Sequence, residues 1–359
     1  MRDDNRIYFL DGLRGLFAFC VLAFHYVSWS GVPVGGALYS LLDRTSIYAV
    51  CGFFVLSGVS MTIAYLDRPP ITLDNFLSYI IKRFFRIAPL YYAVLSIHIA
   101  AKSASCFTTP QCDLSFSGVA SNIFFTFGIG RAAEQSMVVA GWSIGIEWVF
   151  YFLFPFMLII ASRSLFSAFM LVIISFIIMI SWDLRYIYYG FRDWLAYAQF
   201  PAYLFYFSVG VLIGLNRRNI EYSFLYFLTF SIIYVVAHYI FIPFDPSISV
   251  AGPVAWLFGA LTCAMVWAAA SSSCPNWAHR SFILAGELSY PVYLTHFPVF
   301  MIVSLFDLNS SATLALSSIA VVFVSFLSWN CYERPLIRIG RSASKRVIRR
   351  SDFHQLKQP

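Results

Sequence analysis

The stretch LDGLRGLFAFCVLAFHYVSW, residues 10–29, indicates the architecture of this chain. It is an apolar run of about 20 residues, which as an α-helix spans the hydrocarbon core of a bilayer. Three ionisable side chains interrupt it: Asp11, Arg14 and His25. An ionisable group inside a membrane costs about 2.5–3.5 kcal/mol on insertion scales, so each one needs a partner or a function. The stretch therefore predicts a transmembrane helix that carries polar side chains for a purpose.

The whole chain shares this apolar character. Of its 359 residues, 60% are hydrophobic and 11% are charged, and the mean hydropathy is +0.75. Soluble domains carry about 25% charged residues. A soluble enzyme, a secreted disulfide scaffold and a nucleic-acid-binding protein are therefore excluded, although the net charge is +7. Continuous apolar runs of about 20 residues predict helices, because barrel strands would alternate over about ten residues.

Apolar runs between polar breaks predict an all-α fold, a polytopic transmembrane bundle of about ten helices. The predicted spans are 7–29, 45–66, 79–101, 142–162, 165–182, 195–215, 222–242, 250–271, 283–306 and 312–333. The run around 119–129 is too short to cross a bilayer and predicts a re-entrant or interfacial helix. We expect residues 1–335 to form an integral-membrane domain and residues 336–359 to form a basic cytoplasmic tail.

The distribution of basic residues predicts the orientation of the bundle. With the amino terminus inside, eighteen of the 24 Lys and Arg residues fall in cytoplasmic segments, five fall in outer loops, and Arg14 lies within the first span. Because Lys and Arg concentrate on the cytoplasmic side, both termini are predicted to be cytoplasmic. Cys106 and Cys112 share a predicted outer loop, where a disulfide and two free thiols are both open interpretations.

Helical geometry places Asp11, Arg14 and His25 on one face of the first span. Arg14 and His25 are eleven residues apart, which leaves an angle of about 20° between them, and Asp11 is the i, i+3 neighbour of Arg14. Arg14 and His25 are about 16 Å apart along the axis. An Asp11–Arg14 ion pair and a histidine in the interfacial aromatic belt would account for these residues without a function; a site that extends through the membrane is the alternative.

Two further segments hold charged candidates. Arg83 and Arg86 are i, i+3 neighbours at the predicted cytoplasmic end of the third span, where they form either a topology anchor or a fork suited to phosphate. Glu147 lies one turn into the fourth span, with Ser143 and Tyr151 on its face. Its carboxylate is either hydrogen-bonded by hydroxyls or used as a base.

The ninth span contributes the last group. Tyr293 and His296 each fall within about 40° of Ser289, on one helix face. A buried histidine bonded to a hydroxyl is the simpler interpretation, and a place in a functional site is the other. The sequence contains no Cys/His spacing typical of a metal site, no P-loop and no G-x-S-x-G motif, so no metal ligands are predicted.

Six short motifs follow one another between about residue 5 and residue 335. They are LDGLRG at 10–15 with His25 beyond it, FFVLSG at 53–58, RFFR at 83–86, WSIGIE at 142–147, SYPVYLTH at 289–296 and ERP at 333–335. In this order they resemble the membrane-bound acyltransferase 3 family, whose ten-helix enzymes acylate cell-surface and exported glycans. The resemblance is to a stand-alone transmembrane member without a second soluble domain.

The resemblance implies an acyl donor, acetyl-CoA, used from the cytoplasmic side, with Arg14, Arg83 and Arg86 as donor-binding positions and His25 as a functional one. The donor is a substrate, and no cofactor is expected to be bound permanently. The expected partners are a glycan or glycolipid acceptor, membrane lipid and a separate periplasmic acyl-transfer protein. The expected location is the cytoplasmic (inner) membrane of a bacterium.

Chemistry and resemblance together predict that His25 takes the proton of a sugar hydroxyl as the oxygen attacks the thioester, with Glu147 or another carboxylate orienting the imidazole. A covalent acyl-histidine is the alternative chemistry. The competing class is a secondary transporter or flippase for a sugar-containing substrate, which also carries intramembrane charges. The chain shows no internal repeat, and two arginines at one membrane surface suit a phosphorylated donor better than a proton relay.

Overall fold

The computed structural model describes residues 6–106, 114–188, 197–217, 223–241 and 250–355, and this part of the chain is helical without any β-strand. Thirteen α-helices are described in chain order. They are α1 Tyr8–Ser30, α2 Gly36–Tyr65, α3 Leu73–Cys106, α4 Phe116–Ile123, α5 Ala132–Gln135, α6 Trp142–Ser162, α7 Leu165–Tyr188, α8 Pro201–Leu215, α9 Ser223–Phe241, α10 Pro253–Ser271, α11 His279–Ser304, α12 Ser310–Ser328 and α13 Arg334–Gln355. Cys112 lies outside the described residues, and with it the choice between a disulfide to Cys106 and two free thiols.

Each of the ten predicted spans coincides with one of these helices, which confirms the all-α fold. By length and composition, eight helices in the described part of the chain can cross a membrane: α1, α2, α3, α6, α7, α9, α10 and α12 with its continuation. The other two are α8 and α11. Helix α8 has only 15 residues. Helix α11 is long enough at 26 residues, but none of its 18-residue windows is as apolar as those of the eight helices. The protein is therefore a multi-pass membrane protein.

The segment predicted to be re-entrant or interfacial folds as short pieces. It consists of α4, a 3₁₀ turn at Thr126–Gly128 and α5, none of which can cross a bilayer. The buried Asn122 side chain ties the segment together, since its amide donates to the backbone oxygens of Gly118 and Gln135 and its carbonyl accepts from Tyr91. We call this segment the α4–α5 hairpin.

Helices α1 and α11 pack closely because small residues face each other at their contact. A Cβ atom placed on Gly15 would lie 2.5 Å from Cβ of Ala285, and one placed on Gly286 would lie 2.7 Å from Cβ of Asp11. Small residues at such contacts let transmembrane helices approach closely. The glycines of the LDGLRG motif therefore hold the polar residues of α1 against α11.

Helix α13 continues from α12 through a π-helical turn at Trp329–Glu333 and packs along α3. The hydroxyls of Ser78 and Ser344 are hydrogen-bonded at 2.6 Å, and Gly340 lies against the ring of Phe85. The described part of the predicted basic tail is thus a helix fixed to the bundle. Its placement in the cytoplasm stays a prediction.

Candidate active site

The amino-terminal end of α1 carries a network of ion pairs. The carboxylate of Asp11 accepts from Nε of Arg6 at 2.6 Å and from Nη1 of Arg14 at 3.2 Å. The predicted Asp11–Arg14 pair is therefore present. Arg14 also donates to the hydroxyl of Ser60 on α2, which connects α1 to the next helix.

Two further arginines from α3 lie near Arg14. Arg83, Arg86 and the carboxylate of Glu147 all interact electrostatically with it. We call Arg14, Arg83 and Arg86 the cationic cluster. Asp11 is already shared between Arg6 and Arg14, and Glu333 interacts electrostatically with Arg86, so the cluster has three guanidinium groups against the carboxylates of Glu147 and Glu333. This excess of positive charge favours an anionic ligand.

Aromatic rings surround the guanidinium of Arg83. Its central carbon lies 5.4 Å from the ring centre of Tyr65, 6.0 Å from that of Tyr79 and 5.7 Å from that of Tyr151. The guanidinium of Arg86 lies 5.6 Å from the ring centre of Trp329. Cation–π contacts orient a guanidinium without neutralising its charge. The sequence indicated a simple fork at the membrane surface, whereas the structure holds both side chains against aromatic faces.

Glu147 is held by hydroxyls. One oxygen of its carboxylate accepts from Tyr151 at 2.6 Å, as the i, i+4 spacing suggests, and from Ser57 of α2 at 2.9 Å. Ser143, also on its helix face, is instead hydrogen-bonded to the hydroxyl of Tyr293 at 2.8 Å. Ser57 was not singled out from the sequence, although the FFVLSG motif contains it.

The carboxyl-terminal half of α1 brings His25 against His296 of α11. Nδ1 of His25 lies 2.9 Å from Nε2 of His296, and Nδ1 of His296 lies 2.6 Å from the backbone oxygen of Tyr293. We call His25 and His296 the histidine pair. The indole of Trp29 is stacked against both rings, with centroids 4.8 Å and 5.5 Å away. The prediction was that Glu147 or another carboxylate orients the imidazole of His25, whereas the hydrogen-bond partner of Nδ1 in the structure is a second histidine.

The hydrogen bonds of the histidine pair define where its protons lie. A carbonyl oxygen can only accept, so Nδ1 of His296 carries a proton and Nε2 of the neutral ring is an acceptor. Nδ1 of His25 therefore donates to it, and Nε2 of His25 keeps a free lone pair. A neutral imidazole with a free Nε2 lone pair is the form that can act as a base.

The remaining supporting residues divide into two groups. Tyr293 lies between the two halves of the site, where its hydroxyl donates to the backbone oxygen of Ala140 at 3.1 Å. Ser289 donates to the backbone oxygen of Gly286 in its own helix at 2.8 Å, so it does not reach the histidine pair. Among the described residues, no group of three or more His, Cys, Asp or Glu side chains could hold a metal ion.

A cavity of about 280 Å³ opens beside His25. Its polar and aromatic lining comes from α1, α2, the α4–α5 hairpin with the loop after it, α6 and α11, and includes His25, Asp43, Ser46, Ser136, Trp142 and Tyr293. We call it the His25 cavity. Asp43, which sequence patterns did not single out, is the acidic side chain of this lining.

The fold and these side chains define a multi-pass helical membrane protein with a buried polar site suited to group transfer. Residues 7–330 match the family model described as an acyltransferase domain, and the chain belongs to this acyltransferase 3 family. No curated protein and no solved structure gives a significant match. The family match confirms the resemblance seen in the six motifs and supports a membrane acyltransferase over a transporter.

Proposed function

We propose that this protein is an O-acyltransferase of the bacterial cytoplasmic membrane that moves an acetyl group from cytoplasmic acetyl-CoA to a hydroxyl of a cell-surface or exported glycan. The observation that carries the proposal is the arrangement along α1, which holds the cationic cluster near one end and the histidine pair about 16 Å further along. Acetyl-CoA has the matching form, with phosphates at one end and a thioester at the end of an extended arm.

The cationic cluster supplies what the phosphate end of the donor needs. Guanidinium groups bind phosphate oxygens through paired, charge-assisted hydrogen bonds. Aromatic rings lie beside both guanidinium groups and leave their charge available to a ligand. Glu147 is tied to Ser57 and Tyr151, so it does not compete as a direct ion-pair partner of the cluster.

The histidine pair supplies the base. Nε2 of His25 takes the proton from the acceptor hydroxyl while the hydroxyl oxygen attacks the thioester carbon. The new ester C–O bond forms, the C–S bond breaks, and the CoA sulfur leaves with the proton that Nε2 held. His296 supports the transient imidazolium, because its Nε2 lone pair accepts the Nδ1 proton of His25 throughout.

The proposal is tested with purified protein, acetyl-CoA labelled in the acetyl group and total glycan extracted from cells that lack the gene. We expect label in the glycan and one free CoA thiol for each acetyl group transferred. A flippase or secondary transporter would leave the thioester intact. Intact acetyl-CoA after incubation with the glycan would therefore contradict the proposal.

A further inference from the structure

Several polar atoms that line the His25 cavity can still accept hydrogen bonds. The hydroxyl of Ser46 donates to the backbone oxygen of Asp43 at 2.7 Å, and that of Ser136 donates to the backbone oxygen of Val138 at 2.8 Å. Each hydroxyl oxygen therefore has lone pairs left to accept. Nε2 of His25 is also an acceptor, since its Nδ1 carries the proton. A ligand that satisfies this lining must bring several donors.

Asp43 adds a carboxylate to the cavity, which also needs hydrogen-bond donors from a ligand. Its side chain is half-buried and lines the cavity, and the described residues give its carboxylate no hydrogen bond and no direct ion pair. The guanidinium of the neighbouring Arg44 acts on this carboxylate electrostatically, but it lies over the ring of Phe258, 4.6 Å from the ring centre, and does not line the cavity. A carboxylate held within a membrane protein needs donors from somewhere.

The size and charge of the cavity narrow the class of ligand. A volume of about 280 Å³ is just below the about 300–1,000 Å³ typical of small-molecule sites, so the cavity holds a small ligand or a single ring. The single carboxylate disfavours an anionic ligand such as a phosphate or a uronic acid. An uncharged ring with several adjacent hydroxyls meets both conditions, and Trp142 and Tyr293 provide aromatic surface for its apolar faces.

We infer that the His25 cavity binds one uncharged sugar residue of the acceptor, and that Asp43 accepts hydrogen bonds from its hydroxyls. The inference rests on the proposed acyltransferase function and adds to it a binding site, a binding residue and a charge preference. The bound ring lies in the same cavity as His25, the proposed base.

Asp43→Asn tests the inference, because the amide keeps the shape of the side chain and removes the charge. With the total glycan as acceptor, we expect KM for the glycan to rise about 10- to 100-fold, since hydrogen bonds to a charged group are lost. KM for acetyl-CoA stays unchanged. The matched control is Asp307→Asn, an exposed carboxylate in the loop between α11 and α12, which should behave as the wild type.

A second variant tests the cavity without touching the carboxylate. Ala133→Trp, from the α4–α5 hairpin, fills the cavity and should raise KM for the glycan while leaving acetyl-CoA binding unchanged, so it decides the matter if Asp43→Asn fails to fold. An unchanged KM for the glycan in the variants that fold overturns the inference, and so does a loss confined to kcat, which would mean that Asp43 acts on His25. In both cases transfer by the wild type still supports the proposed function; a wild type that transfers nothing overturns both.

Discussion

The two ends of α1 carry different chemical groups, the cationic cluster at one end and the histidine pair at the other. The cationic cluster consists of permanent charges held by ion pairs and by the faces of aromatic rings, so it can bind an anion whatever the pH. The histidine pair is a neutral chain of hydrogen bonds that ends on a backbone carbonyl. In the proposed mechanism, one end recognises charge and the other controls the position of a single proton. The comparison predicts that damage at each end changes a different kinetic constant.

The largest effect is expected at the histidine pair. His25→Ala removes the base, so kcat for acetyl transfer should fall about 10²- to 10⁴-fold while KM for acetyl-CoA stays close to that of the wild type. Transfer of labelled acetyl to the glycan by purified protein measures both constants. His98→Ala is the control, because His98 lies on α3 with its ring stacked on Phe297 and does not join the pair. Acetylation near the wild-type rate by His25→Ala would show that His25 is not the base.

Substitutions in the cationic cluster should have a smaller effect, and it should appear in KM for acetyl-CoA. Replacing both Arg83 and Arg86 by Lys keeps the positive charges and removes the planar forks, so KM for acetyl-CoA should rise about tenfold with little change in kcat. Arg338 and Arg341 on α13 have the same spacing and are exposed, so their double replacement by Lys is the matched control. If donor kinetics are unchanged in the Arg83 and Arg86 variant, these arginines act as topology anchors only.

Variants of His296 distinguish a role in holding the Nδ1 proton of His25 from a role in packing. His296→Leu removes the acceptor of the Nδ1 proton of His25, and we expect kcat to fall about tenfold with both KM values unchanged. His296→Gln offers a carbonyl oxygen in place of Nε2 and should recover part of the rate. Equal losses in the Leu and Gln variants would show that His296 only fills space. The measurement is the rate of the wild type and of both variants at saturating acetyl-CoA and glycan.

The smallest effect on activity is expected at the contact between α1 and α11, which positions both the cationic cluster and the histidine pair. Gly15→Ala places a Cβ atom 2.5 Å from that of Ala285, so α1 and α11 must separate slightly. The cost in stability should be about 1–3 kcal/mol, with small losses at both ends of the site. Gly35→Ala is the control, because a Cβ atom there would meet nothing within 4 Å. Thermal unfolding in detergent measures the difference, and equal unfolding temperatures would mean that the contact is more adaptable than its spacing indicates.

The parts of the site that could be predicted from sequence are those within one helix. The span of α1 follows from its apolar length, the Asp11–Arg14 pair from i, i+3 spacing and the Tyr151–Glu147 bond from i, i+4 spacing. Contacts between helices could not be predicted, because helical periodicity does not reveal which helices are neighbours. His25 and His296 are separated by 271 residues, and Ser57 and Glu147 by 90.

Asp43 could not be singled out from the sequence either, because its surroundings come from other helices. It lies near the start of α2, where an acidic residue resembles any polar side chain at the edge of a membrane span. Its significance depends on the α4–α5 hairpin and α6, which complete the cavity around it. The charged residues of α1 were found because they interrupt an apolar run, and those of α3 because they form an i, i+3 pair at the end of a span, whereas Asp43 precedes the predicted span 45–66 and belongs to no motif.

The bond from His296 to the backbone of Tyr293 gives the site a spectroscopic signature. It requires both rings of the histidine pair to carry their proton on Nδ1, which is the minor tautomer of free imidazole side chains in water. In protein labelled with ¹⁵N at histidine, these two rings should give the resonance pattern of the Nδ1-protonated form in the absence of any substrate. The resting state of the site can therefore be observed by magnetic resonance before the acceptor is identified.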